Sequence, residues 1–216
     1  MNVLALDTAT EASALALQAG DRLYSRTARE GLRHAQSLVP QIEQLLAQAA
    51  LAAAALDLVV VGVGPGSFTG LRIAIATARG LARGAPCDLV GVPTLDVLAW
   101  PLRFWPGLVV PVIDAKKDRV YAAAYREGSR VSEFLDLAAA ELGAALGDGD
   151  PVLLTGPFAG EAARRAAIAA WTLDSSHGLP DPLALLALGA AARARGEGAE
   201  PAPVYLRKSE AEYKSR

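Results

Sequence analysis

Residues 62–83 read GVGPGSFTGLRIAIATARGLAR, and the fold is decided there. Residues 56–63, LDLVVVGV, are a short apolar run rich in β-branched side chains, the pattern of a buried strand. Residues 71–81 are Ala-rich and free of Gly and Pro until Gly80, which predicts a helix. Gly64, Pro65, Gly66, Ser67, Phe68, Thr69 and Gly70 lie between them. Strand, glycine-rich turn and helix together aim backbone N–H groups and a helix N-terminus at an anion. Neither standard phosphate loop is present, however. No Gly-Lys precedes a Ser or Thr, and from Gly62 or Gly64 the third glycine of a dinucleotide fingerprint is replaced by Ser67 or Thr69.

The helix carries more information than the turn. Ser67 or Thr69 can cap it, and Arg72 then falls in the first turn, where a cation opposes the helix dipole. Either an anion or carboxylate faces Arg72, or it is an exposed arginine tolerated there. Leu71, Ala74, Ile75, Ala78 and Leu81 make one apolar face; Ile73, Ala76, Thr77 and Gly80 fill most of the other, with only Arg72, Arg79 and Arg83 charged. A helix apolar nearly all round needs cover on both sides. Gly70, Ala74 and Ala78 form a small-residue stripe at i, i+4, i+8 that lets a second helix approach closely. The expected partner interface is therefore Gly70, Arg72, Ile73, Ala74, Ala76, Thr77, Ala78 and Arg79, joined by Leu38 and Ile42 of the preceding helix.

The chain has 216 residues, 52% hydrophobic and 20% charged, which fits one large or two small domains and excludes disorder. A net charge of −2 gives no global grip on nucleic acid. Cys87 is the single cysteine, so no internal disulfide forms and a reducing compartment is expected. No apolar run reaches the length of about 18 residues that a membrane span needs, and MNVLALDTAT lacks the basic start of a signal peptide. A cytoplasmic protein without membrane association is expected.

In chain order, strands are predicted at 3–6, 12–18 and 22–27, a meander whose first corner carries Asp7, Thr8 and Thr10. That corner is either a place for a metal-bound phosphate or an ordinary Asx or Ser/Thr turn. With Gly64, Gly66 and Ser67 it makes up the candidate nucleotide-binding set. Residues 34–50 predict a helix containing Pro40, and 51–55 extend it. A strand at 88–92 and a short helix from Pro93 to Trp100 follow. PLRFWPG, residues 101–107, breaks the pattern and places a boundary between lobes 1–103 and 104–216. Trp100, Phe104 and Trp105 cluster at that boundary, to pack between lobes or to serve as a ligand platform.

The second half repeats the plan: a strand to Asp114, a return strand at 119–125, a third at 131–135, a helix at 138–146, a strand at 152–154, the turn TGPFAG and a helix at 161–170. A final Ala/Leu helix spans 182–195. Strand ending in Asp, antiparallel strand, helix, strand before Gly-Pro, helix: the halves read as an architectural duplication. Two mixed sheets flanked by helices are the plan of actin-like ATPases and sugar kinases. Their first phosphate turn usually has glycine where Ala9 stands here, and a methyl there obstructs close approach of a phosphate.

DTAT, GPGSFTGLRIA, VPTLDVLA, DAKKDRVYAAAY and PVYLR together resemble the TsaB family across residues 2–207. The resemblance implies an α/β, two-lobed actin-like (ribonuclease H-like) fold. It also implies a dimerisation subunit of the bacterial machinery that makes threonylcarbamoyladenosine at tRNA position 37. Such a subunit has no catalysis, metal or cofactor of its own. It pairs with the transferase TsaD, is joined by the ATPase TsaE, and meets tRNA only indirectly; whether it forms a homodimer when alone is left open by the sequence. The catalytic relative binds metal through two histidines four residues apart, where Thr94 and Leu98 stand here. His34 and His177 are the chain's two histidines and no His-x-x-x-His occurs, so the family's old glycoprotease-like label implies no peptidase chemistry here. The other expectation is a small actin-fold ATPase or phosphotransferase holding Mg-ATP in the interlobe cleft with Asp7 and Asp114.

Overall fold

The computed structural model describes residues 1–29, 34–146, 149–167, 170–197 and 201–207. The meander forms as patterned: β1 (Asn2–Asp7), β2 (Ala12–Ala19) and β3 (Arg22–Arg29) pair antiparallel. After α1 (His34–Gln48), β4 (Leu58–Gly62) lies parallel beside β1. The helix predicted from the glycine turn is α2 (Phe68–Gly84), followed by β5 (Asp88–Val92), parallel to β4, and α3 (Thr94–Ala99). The sheet order is β3-β2-β1-β4-β5.

The second sheet repeats this order with β6 (Leu108–Lys116), β7 (Arg119–Ala122), β10 (Leu135–Ala138), β11 (Val152–Thr155) and β12 (Thr172–Leu173), arranged β10-β7-β6-β11-β12. Pairing is again antiparallel for β7 and β10 and parallel for β11 and β12. A small hairpin of β8 (Tyr125–Arg126) and β9 (Ser129–Arg130) hangs on β6. Helices α4 (Leu142–Leu146), α5 (Ala159–Ala166) and α6 (Pro182–Ala194) complete the chain. Two mixed sheets of one topology, each flanked by helices, make this an α/β protein of the actin-like type.

Several boundaries differ from the sequence pattern. The extension expected at 51–55 is a separate 3-10 turn, Ala53–Ala55, because Ala50 takes a left-handed φ of 51° and ends α1. Leu51 N–H then closes back on Leu46 O. The strand expected at 131–135 lies four residues later, at Leu135–Ala138, where Leu135 pairs with Ala122. The helix expected at 138–146 opens as a 3-10 turn, Ala139–Glu141, before α4. α5 starts two residues early, and its expected tail runs into residues 168–169, outside the described residues. The C-terminal SEAEYKSR also lies outside them.

The chain forms two compact units: Met1–Val97 with Pro180–Val204, and Leu98–Leu179 with Tyr205–Arg216. The lobes 1–103 and 104–216 predicted from PLRFWPG differ from this in one large respect: Pro180–Val204 returns to the first unit. The physical reason is that β4 is apolar on both faces. Leu4, Leu6, Leu15, Leu17, Val59 and Val61 pack with Leu38, Ile42, Leu45, Ala74, Ile75 and Ala78 of α1 and α2 in one cluster. Val60, pointing the other way, is met by α6, whose Gly189 lies so close that an added Cβ would sit 2.3 Å from the Val60 methyls. Parallel strands need cover on both faces, and α6 is the second cover.

Gly189→Ala should therefore destabilise the chain by about 1–3 kcal/mol through overpacking. Gly80, in α2 with open space around its Cβ direction, should behave oppositely: Gly80→Ala should stabilise by about 0.4–1 kcal/mol. Urea denaturation of both variants measures the contrast.

Candidate functional site

The corner after β1 and the glycine-rich turn after β4 are packed directly onto one another. Asp7, at the end of β1, is fully buried. Its Oδ1 accepts the Ala9 N–H at 2.6 Å, and its Oδ2 accepts the Thr94 hydroxyl at 2.7 Å. Thr94 Oγ1 in turn accepts the Gly64 N–H at 3.2 Å, while Thr94 N–H donates to Gly64 O at 2.7 Å. Thr8, also fully buried, donates its hydroxyl to Gly70 O at 2.8 Å. The Ser67 N–H donates to Ala9 O at 2.7 Å, and the Ser67 hydroxyl caps α2 by accepting the Gly70 N–H. Thr10 is buried and accepts the Ala12 N–H in a local turn.

The glycines permit this closeness. A Cβ on Gly62 would lie 2.1 Å from Asp7 Oδ2, one on Gly66 2.2 Å from Ala9 O, and one on Gly70 1.9 Å from Thr8 O. Thus the β1 corner with Asp7, Thr8 and Thr10 and the turn with Gly64, Gly66 and Ser67 do come together, but their polar groups are bonded within this corner, to Ala9, Ala12, Gly70 and Thr94. The N–H of Ser67, which would cradle an anion, is spent on Ala9. The Ala9 methyl fills the same space: it would stand 2.9 Å from a Gly66 Cβ.

The second unit has a counterpart. Asp114 Oδ1 accepts the Lys116 N–H at 2.7 Å, as Asp7 does from Ala9, but Oδ2 pairs with Lys116 Nζ at 2.5 Å on the surface. Gly156, before Pro157, has φ 95°, and Gly64, before Pro65, has φ 93°. Beside Gly156, Thr155 donates to Asp174 Oδ2 at 2.8 Å; Ser176 N–H at 2.9 Å and His177 N–H at 3.1 Å complete that carboxylate's shell. His177 Nδ1 lies 3.3 Å from Asp174 Oδ1, so this histidine belongs to a polar cluster. Burial pushes the Asp174 carboxyl up, but these hydrogen bonds outweigh it and hold its pKa below the usual carboxylate value. Among the described residues no three His, Cys, Asp or Glu side chains are grouped to hold a metal ion. Burial, with Asp88 and Asp57 nearby, raises the Cys87 thiol pKa.

The expected partner interface divides in two. Gly70, Ala74 and Ala78 are buried against the chain's own residues, as are Leu38 and Ile42. The small-residue stripe therefore faces inward: its smallness serves the approach to Thr8 and the sheet, not to a second protein. Arg72, Ala76 and Arg79 are exposed, with Ile73 and Thr77 half-buried at their margin. α2 begins at Phe68, three residues before the predicted start, so Arg72 stands in the second turn and not the first, and its guanidinium lies over the Phe68 ring at 3.8 Å. Arg79 donates to Pro201 O at 3.1 Å. No helix among the described residues is long and apolar enough to cross a membrane.

The duplicated sheet order defines the class: an actin-like α/β protein whose first phosphate corner is closed by its own side chains. The profile of TsaD, tRNA N6-adenosine threonylcarbamoyltransferase, matches residues 29–173, more than half of the chain, and the chain belongs to this family. Its similarity runs to the TsaB branch. It is 36% identical over 128 residues to tRNA threonylcarbamoyladenosine biosynthesis protein TsaB of Escherichia coli, 58% of this chain and 55% of that protein. It is 38% identical to protein ML0378 of Mycobacterium leprae over 60% of this chain and 37% of that one. The chain thus spans about half or less of these two relatives. Protein Mb3455c of Mycobacterium bovis is 34% identical across 97% of this chain and 93% of its own length. The structure of YeaZ from Pseudomonas aeruginosa superposes with a TM-score of 0.81 at 34% identity, over 95% of this chain and 99% of that one.

Two substitutions test the two polar clusters. Thr94→Val leaves Asp7 Oδ2 without its hydroxyl donor and should cost about 1–3 kcal/mol, read as a lower urea midpoint. Asp174 has a folded pKa below its unfolded value of about 3.9. Its contribution is therefore fully present above about pH 4 and lost as pH falls through the folded value. Asp174→Asn should flatten the decline of unfolding free energy below about pH 4.

Proposed function

We propose that this chain is a non-catalytic scaffold subunit for threonylcarbamoyl modification of tRNA adenosine 37. It pairs with a TsaD-type transferase and supports docking of a TsaE-type ATPase, with tRNA held chiefly by the partners. The observation that carries this is the closed corner. An actin-fold ATPase needs free N–H groups and an accessible carboxylate at the first phosphate turn; here the Ser67 N–H is bonded to Ala9 O and Asp7 is fully buried. Thr94, standing where the family resemblance puts a metal-binding histidine, has its hydroxyl on Asp7. A hydroxyl is a poor substitute for imidazole as a ligand.

The partner surface is the outward side of α2, Arg72, Ala76 and Arg79 with the margins of Ile73 and Thr77, continued by Val39 and Pro40 of α1, both exposed. Self-association of the free chain would use the same side. A specific interface buries on the order of 1,600 Å², and two adjacent helices supply a large part of one half.

Ala76→Glu places a charge on this surface without touching the core. It should abolish co-purification with the transferase subunit while leaving the melting temperature within a few degrees; retained pairing would count against the assigned surface. Ala74→Glu, by contrast, buries a charge and should unfold the chain. Isothermal calorimetry with Mg-ATP on the isolated chain should show no binding, whereas micromolar binding with turnover would favour the phosphotransferase alternative.

A further inference from the structure

Residues 100–105 in the second unit leave aromatic surface in the open. Phe104 is 82% exposed. The guanidinium of Arg103 contacts two rings, 4.6 Å from the centroid of Trp100 and 4.3 Å from that of Phe104. Its Nη1 donates to Trp100 O at 3.0 Å, which fixes the stack. The tip of the β8–β9 hairpin packs against it: a Cβ on Gly128 would lie 3.2 Å from Arg103 Cβ. Two residues further on, Arg130 lies over the Phe134 ring at 3.8 Å, and Val131 beside it is 55% exposed. Among the described residues neither Arg103 nor Arg130 is within salt-bridge distance of a carboxylate, whereas the neighbouring Arg126 is neutralised by Asp150 at 2.6 Å.

We propose that Phe104, Arg103 and Arg130 form a contact for single-stranded RNA, taking an unpaired base on the Phe104 ring and its flanking phosphates on the two arginines. Exposed aromatic faces backed by guanidinium groups are the surface on which unstacked bases settle. Arginines without carboxylates carry the charge that phosphates complement. The inference rests on the tRNA-modification role and adds to it one direct contact from the scaffold. The net charge of −2 keeps that contact local and weak in isolation, a guide for RNA held mainly elsewhere in the assembly.

Fluorescence anisotropy of the full chain with a short fluorescein-labelled single-stranded RNA, against a duplex of equal length, tests it. The single strand should bind more tightly, and Phe104→Ala should weaken it about tenfold. Arg103→Ala and Arg130→Ala should each reduce the log–log salt slope by about one. Absence of saturable binding, or equal binding by Phe104→Ala, overturns the proposal. So does loss of a co-purifying protein partner in Phe104→Ala with RNA binding intact. Threonylcarbamoyladenosine content of tRNA from deletion cells separates the two levels. Undiminished content in the deletion sinks the tRNA role itself. Full restoration by patch variants that no longer bind RNA sinks only this contact. Near-UV circular dichroism confirms that each variant is folded.

Discussion

The first unit depends on burying one carboxylate at the end of its central strand. A carboxyl group taken fully out of water is tolerated only with its oxygens hydrogen-bonded. Asp7 meets that condition with Ala9 N–H on one oxygen and the Thr94 hydroxyl on the other. Because Thr94 also exchanges bonds with Gly64, the carboxylate joins the β1 corner, the glycine turn after β4 and the start of α3. Gly62, Gly66 and Gly70 follow from it: side chains there would strike Asp7, Ala9 and Thr8. A turn with the composition of a phosphate loop is thereby used as packing.

The second unit shows the same backbone solution with a different end. Asp114 caps its own corner just as Asp7 does, and Gly156 adopts nearly the φ of Gly64. The second oxygen, however, goes to Lys116 at the surface. Lys116, Lys117 and Asp118 all take left-handed φ values, 61°, 54° and 60°, so this hairpin holds three residues where glycine would be easier. The polar cluster of this unit lies instead around buried Thr155, tied to half-buried Asp174 and to His177. The two units share strand order and local turns but differ in where the polar cluster sits.

The layering around β4 decides which side of α2 is left outward. α1 and α2 seal one face of the sheet and α6 the other, so the apolar residues of α2 are largely consumed within the chain. What remains outward is a mixed surface of Arg72, Ala76 and Arg79.

The sequence by itself determined the secondary structure around residues 56–83, the duplicated sheet plan and the family, because strand and helix periodicities and the GPGSFTG turn are local signals. It also brought Asp7, Thr8, Gly64, Gly66 and Ser67 to one place. It could not show that their polar groups are satisfied within the corner, since the decisive donor, Thr94, lies 87 residues from Asp7. The orientation of the Gly70–Ala74–Ala78 stripe and the return of Pro180–Val204 to the first unit were likewise decided only in the tertiary structure. Periodicity tells which side of a helix is small or apolar. Which neighbour covers that side is fixed by long-range packing, where the fit of Gly189 on Val60 has no echo in the local sequence.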